Sequence, residues 1–466
     1  MRVICTGTSG TERMTFLDAV ARRARDRGRE LRIFDVRDVM FQIAQDVGEP
    51  VDEETILDMF PRALVLLRAA ALEKIAGLVE AGGRDWDWII NTHAVFRWKN
   101  TLVSGFDPYY LRRLRPDLYV TVTSGVLTVR DRLRRFPRWE EATVQELLVW
   151  REEEQWATEE MARIHHKPQL LWPRTMTPEM LARLMFEPKL KTAYLSYPMQ
   201  HAIEGGERTL ARFKQRLERL LLIFDPADVN DFAVEQRPAT GRANGAAPAA
   251  ERPATTAMDA TASMSDDSRE LAAALAQATS RTGPSPARTI AHDRSKGAGA
   301  PIFLDESSGP SGAGDLGMSG TLDASGGLDG TDGPGASDGP GASGGLDAAD
   351  AVSANLARAA IPSPFTEREL QHIGDQIVFR DYKLIAQADM VVVFYDALVP
   401  SPGVISEMNY ALQMGKRVYG VWLPENEPSP FFTRYCTRCF RSEDELFRYF
   451  ARYRIAGAKT SAARAR

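Results

Sequence analysis

The stretch "ADMVVVFYDALVPSPGVISEMNYALQMGKRVYGVW" (388–422) decides how this chain folds. Its run "MVVVFY" is apolar at every position and rich in β-branched and aromatic side chains, as a strand buried on both faces requires. The cluster Pro400-Ser401-Pro402-Gly403 breaks that run, and a helical pattern begins near Gly403. "RVYGVW" (417–422) reads as the next buried strand. Strand, helix and strand in this order form the unit from which parallel sheets are built. One acid, Glu407, stands near the start of the helix. Its position is expected to fall in the first turn, where the helix dipole favours the charged carboxylate.

Working outward, "ERELQHIGDQIVFRDYKLIAQA" (367–388) reads as the preceding helix and carries Asp381. "EDELFRYFARY" (443–453) reads as the last one. Upstream lie a strand in "KTAYLSYP" (191–198), a helix from Glu207 to Leu222 and a short strand end in "LIFDP". Between the two groups, residues 235–361 are dominated by Gly, Ala, Ser, Asp and Pro. Such text offers too little apolar surface to offset the entropy of ordering it, so it is expected to be disordered. Loop-closure cost grows only logarithmically with length, so a long insertion within one domain is tolerable. Segments 188–234 and 362–456 are therefore read as one domain, followed by a tail at 457–466.

Residues 1–187 read as a separate domain. "RVICTG", "LRIFDV", "WDWIINTHA", "DLYVTVT" and "QLLWP" are strand candidates with helical patterns between them, among them Met14–Arg27 and Ala63–Ala81. The expected fold class is α/β, with two doubly wound parallel-sheet domains, the second interrupted by the insertion.

The chain of 466 residues has a net charge of −5 and only three cysteines. It offers no basic footprint for nucleic acid, no apolar run of membrane-spanning length and no disulfide framework. The start "MRVICTGTSG" lacks signal-peptide features, so a cytoplasmic protein is expected. "CTRC" (436–439) is half of a zinc site with no second pair, and no metal is expected there.

"GTSGTERMT" (7–15) lies between a strand and a helix, where a phosphate-binding loop would lie. Gly7, Gly10, Arg13 and Thr15 are its candidate nucleotide-binding residues. Glu12 and Met14 stand where such a loop needs glycine and a magnesium-holding hydroxyl. With "IINTHAVFRWKN", "RPDLYVTVTS" and "VRDRLRRFPRW", this segment resembles the archaeal-type adenylate kinase and nucleoside-monophosphate kinase family of P-loop proteins. The resemblance implies ATP and magnesium as ligands and Arg130, Arg135 and Arg138 as phosphate contacts in a lid. The altered loop makes a nucleotide-binding domain without kinase activity the favoured expectation.

Residues 191–225 and 377–422 resemble the nucleoside 2-deoxyribosyltransferase family and its hydrolytic relatives, the deoxynucleoside 5′-monophosphate N-glycosidases. The resemblance rests on "AYLSYPM" and on "RDYKLIAQADMVVVFYDALVPSPGVISEMNYALQMGKRV". It implies Glu407 as nucleophile, Asp381 as the group that orients or protonates the base, and Tyr194 beside the nucleophile. It implies further that Ser196, Ser401, Gly403, Gly205 and Gly206 bind substrate, with Ser401 holding phosphate as in the hydrolases. Tyr197 stands where the family usually has a small residue.

The expected partners are nucleosides or nucleotides, with no cofactor for the second domain; self-association into a homo-oligomer is left open. The expected activity is cleavage or exchange of an N-glycosidic bond. The rival expectations are a non-enzymatic nucleotide sensor, an active nucleotide kinase, and a hydrolase of another N-riboside such as NAD.

Overall fold

The computed structural model describes residues 1–83, 86–98, 101–199, 206–234 and 364–455. The expected disordered insertion and the tail after 457 lie outside the described residues. Two five-stranded, all-parallel sheets are flanked by helices.

The first sheet has the order β2-β3-β1-β6-β7. Its strands are β1 (Arg2–Thr6), β2 (Leu31–Asp35), β3 (Asp87–Asn91), β6 (Leu118–Thr123) and β7 (Gln169–Pro173). An antiparallel ribbon, β4 (Val95–Trp98) and β5 (Thr101–Ser104), stands apart and has no counterpart in the sequence reading. The helices of this half are α1 (Arg13–Asp26), α2 (Val36–Asp46), α3 (Pro61–Ala81), α4 (Pro108–Leu114), α5 (Val126–Leu133), α6 (Val144–Ile164) and α7 (Pro178–Phe186).

The second sheet comprises β8 (Thr192–Ser196), β9 (Leu222–Phe224), β10 (Met390–Tyr395), β11 (Arg417–Trp422) and β12 (Arg438–Phe440), in the order β12-β11-β10-β8-β9. Around it lie α8 (Gly206–Glu218), α9 (Glu367–Gln387), α10 (Pro402–Gln413), α11 (Pro430–Tyr435) and α12 (Glu443–Tyr453). The helix expected to reach Leu222 stops at Glu218, because Leu222 pairs with Thr192 and extends the sheet. Tertiary pairing overrides helical periodicity here.

The crossover from β8 to β9 runs to one side of β8 and the connection to β10 runs to the other. The order therefore reverses between β8 and β10, and open α/β sheets bind ligands at such a switch, beyond the carboxyl ends of the strands.

The two halves share one core. A single apolar cluster runs from Val3 and Val120 through Trp172 and Leu181 to Tyr194, Leu384 and Val391. The two sheets meet at their edges, with the Trp172 and Phe224 rings 6.2 Å apart. The edge strand β7 would leave unpaired backbone groups, but the Gln387 side chain accepts from Leu171 N (2.8 Å) and donates to Leu171 O (2.9 Å). At Gly125 a Cβ would come within 1.8 Å of Asn230 O, so only glycine lets the two backbones cross there.

Chain ends on either side of the insertion also meet. Phe232 and Phe365 pack edge to face, with ring centroids 6.0 Å apart. Replacing residues 238–358 by a short Gly/Ser linker is therefore expected to leave the thermal midpoint unchanged; loss of soluble protein would refute this.

Candidate active site

β10 delivers the chain to the sheet's edge, and the loop that follows is braced by its last residue. The Tyr395 hydroxyl donates to Val399 O (3.0 Å) and accepts from Ser401 N (2.8 Å), while its ring stacks on Trp422 at 4.5 Å. Ser401 caps α10, accepting from Val404 N at 3.5 Å, and Pro402 occupies the first helical position. Val404, Met408 and Ala411 bury one face of α10. That packing turns Glu407 toward β8.

There its carboxylate is gripped from below. The Tyr194 hydroxyl donates to Oε1 at 2.9 Å and the Ser196 hydroxyl donates to Oε2. Both donors come from β8 and are fully buried. Asp381 faces the same space from α9, which is fixed to α10 by the Tyr382–Tyr410 stack (4.2 Å) and by the Tyr382–Ser406 hydroxyl pair (2.9 Å). Asp381 is buried, and its Oδ1 has no hydrogen-bond partner among the described residues.

The ionisation state differs from the sequence expectation. Glu407 lies in the second turn of α10, not the first, and no acid occupies that first turn. Burial pushes its carboxyl up to about 8; the Ser196 and Tyr194 hydroxyls oppose this and the Asp381 charge adds to it. Burial also pushes Asp381 up to about 6, with Arg380 opposing and the Asp225 carboxylate reinforcing. Near neutral pH the pair therefore shares about one proton.

Three groups around the site were not singled out from sequence. Asp225 follows β9 and accepts from Tyr197 (2.8 Å) and from Lys214 (2.6 Å), which also reaches Asp228 at 3.2 Å. Tyr197, which stands where the resembled family usually has a small residue, is held by this contact. Gly403 is exposed, and none of the described residues comes within 4 Å of where its Cβ would stand, so its helical turn is open on that side. Gly206 is the first residue of α8, and Gly205 lies outside the described residues.

The loop after β1 opens on a separate cavity of about 780 Å³, lined by Gly10, Arg13, Thr15 and Arg138 among others. Gly7, Arg130 and Arg135 do not line it. Arg130 instead lies near the Glu369 carboxylate of α9, and Arg135 pairs with Asp131. Arg138 pairs with Asp58, and Thr15 is exposed in the first turn of α1.

Within the loop, the Gly7 amide donates to Glu154 at 2.9 Å. Glu154 also accepts from Ala94 N and Val95 N at 2.9 Å each. Burial works to raise this carboxyl, but His93, Arg13 and the Val95 amide more than offset it and hold it below the ordinary range. The buried Arg13 guanidinium donates to the carbonyls of Gly7 and Thr8 and to Asn91 Oδ1 (2.8 Å). Gly7, at φ +144°, has Val122 O only 2.4 Å from where a Cβ would stand. The loop is thus closed on the chain's own carboxylate and guanidinium.

No family model matches the chain, and a comparison with curated proteins found no match. Among the described residues, no helix is long and apolar enough to cross a membrane.

Proposed function

We propose that the second domain breaks or exchanges the N-glycosidic bond of a (deoxy)nucleoside 5′-monophosphate, with Glu407 as nucleophile. The observation that carries this reading is the Glu407 carboxylate, held by Tyr194 and Ser196 at the β8/β10 switch with Asp381 facing the same space. Two hydroxyl donors aim one oxygen pair at the crevice, as attack on a sugar carbon requires. A Glu407 oxygen bonds to the anomeric carbon as the bond to the base nitrogen breaks, through an oxocarbenium-like transition state. In the reacting form the proton shared by the pair sits on Asp381, leaving Glu407 ionised, and Asp381 gives it to the departing base. The glycosyl ester is then opened by water, or by the nitrogen of a second base, with the proton returning to Asp381. Retention at the anomeric carbon follows from the two displacements. The test is release of free base from a panel of nucleosides and nucleotides, followed by chromatography.

Ser401 and the α8 N-terminus give this reading its preference for phosphate. The Ser401 oxygen accepts from Val404 N, which leaves its own O–H to donate. Each hydrogen bond to a charged oxygen contributes about 1.5–3 kcal/mol. A 5′-monophosphate is therefore expected to exceed its nucleoside in kcat/KM by roughly tenfold to a few hundredfold. A nucleoside that reacts faster than its monophosphate would move the reading to the transferase branch.

Phosphoryl transfer by the first domain is the weaker reading. Its loop amide is engaged by Glu154, its Arg13 is turned onto backbone carbonyls, and Met14 offers no hydroxyl to magnesium. These residues do not fit a nucleoside triphosphate with magnesium, so no step is assigned to that pair.

A further inference from the structure

Two side chains one turn apart on α6 reach different parts of the molecule. Glu154 holds the loop of the first sheet. Arg151, one turn earlier, points into the junction with the second domain. There it donates to Asp231 Oδ1 at 2.6 Å and to Gln376 Oε1 of α9 at 2.9 Å. The Asp231 side chain has no solvent exposure, and it also accepts from Val126 N (2.8 Å) and from Arg380 Nη1 (3.0 Å). Arg380 in turn places its Nε 3.7 Å from Asp381 Oδ1. One buried carboxylate is thus shared by a guanidinium from each domain, and the second guanidinium stands against the acid of the candidate site.

We infer that Arg151 is a positioning residue for that site: by sharing Asp231, it leaves Arg380 free to stand beside Asp381. The inference rests on the reading of Asp381 as the acid that serves the departing base. The logic is competition for charge. Asp231 has two cations, so neither is bound to it alone. With Arg151 removed, Asp231 draws Arg380 to itself, since a buried carboxylate left with one partner holds it hard. Asp381 then loses the one cation that faces it among the described residues. The other groups that face it are the carboxylates of Asp225 and Glu407 and the Tyr194 hydroxyl, none of which stabilises its charge electrostatically. With Asp231 neutralised, the opposite follows, because Arg380 is released toward Asp381.

The two substitutions are therefore expected to move Asp381 in opposite directions. Its titration is read in the full chain by infrared difference spectra of the carboxyl band, taken between each protein and its Asp381→Asn counterpart. Arg151→Gln is expected to raise the midpoint by about one pH unit, and Asp231→Asn to lower it by a similar amount. Folding is checked by thermal unfolding of each variant. Midpoints that stay at the wild-type value, or shift the same way in both variants, would overturn the inference, since general loosening of the junction has no reason to reverse sign. This readout needs no substrate. If the wild-type chain releases no base, the glycosidic reading fails while the spectra still decide the Arg151 question. Where base is released, the limb of kcat/KM near pH 6 is expected to move up in Arg151→Gln and down in Asp231→Asn.

Discussion

Glu407→Gln is expected to abolish base release, with a loss of at least about a thousandfold in kcat, because the amide cannot form the glycosyl ester. The substitution keeps size and both hydroxyl neighbours. It also changes stability in a defined direction. The Glu407 carboxyl is raised from its ordinary range to about 8, so the folded chain binds this proton more tightly than the unfolded chain does. Its contribution to stability is fully present below the ordinary carboxyl range and is lost as pH rises toward 8. The Gln variant lacks that slope. Thermal unfolding from pH 5 to pH 8.5 is expected to show wild type losing stability relative to Glu407→Gln. Turnover that survives the substitution would remove the nucleophile assignment, whatever the unfolding curves show.

Asp381→Asn is expected to slow natural substrates by about 10²–10⁴, the usual contribution of a proton donor. A p-nitrophenyl deoxyriboside, whose leaving group departs without a proton, is expected to lose far less. The pH profile separates this role from positioning. In wild type, the proposed reaction needs Glu407 ionised and Asp381 protonated, so kcat/KM is expected to be bell-shaped with limbs near 6 and 8. In Asp381→Asn the activated substrate requires only the ionised Glu407. Its rate should rise to a plateau, with a midpoint below 8 because the Asp381 charge that helped raise Glu407 is gone. Equal slowing of both substrates would reduce Asp381 to a positioning role.

The alternation of strands and helices was legible because nine of the ten strands in the two parallel sheets are written as short, largely apolar runs; β12, which overlaps "CTRC", is three residues long and was not read as a strand. "MVVVFY" is the clearest, and it does lie at the centre of the second sheet. Glu407, Asp381, Tyr194 and Ser196 were legible as residues, and the fold brings them together. The protonation of Glu407 was not. A sequence shows distance from a helix start but not how much water a neighbouring strand removes, and desolvation outweighs the dipole here. Glu154 was hidden among three consecutive glutamates. Helical spacing picks it out, since Leu147, Trp150, Glu154, Thr158 and Met161 form one buried stripe. Asp231 left no such trace, because its partners Arg151 and Arg380 come from distant parts of the chain.

The contact between Phe232 and Phe365 has a consequence for the chain as a covalent object. β8 and β9 come before the insertion, whereas β10, β11 and β12 come after it, and β8 pairs directly with β10. The middle of the sheet is therefore zipped from two pieces of polypeptide. A protease that cut between 234 and 364 would sever the backbone without parting the fold, since the ladder, the shared core and the Asp231 charge cluster would still join the fragments. The second domain is built as a split fold whose two pieces happen to be connected. The first fragment would carry Tyr194 and Ser196, the second Asp381 and Glu407, so neither alone would hold a complete site.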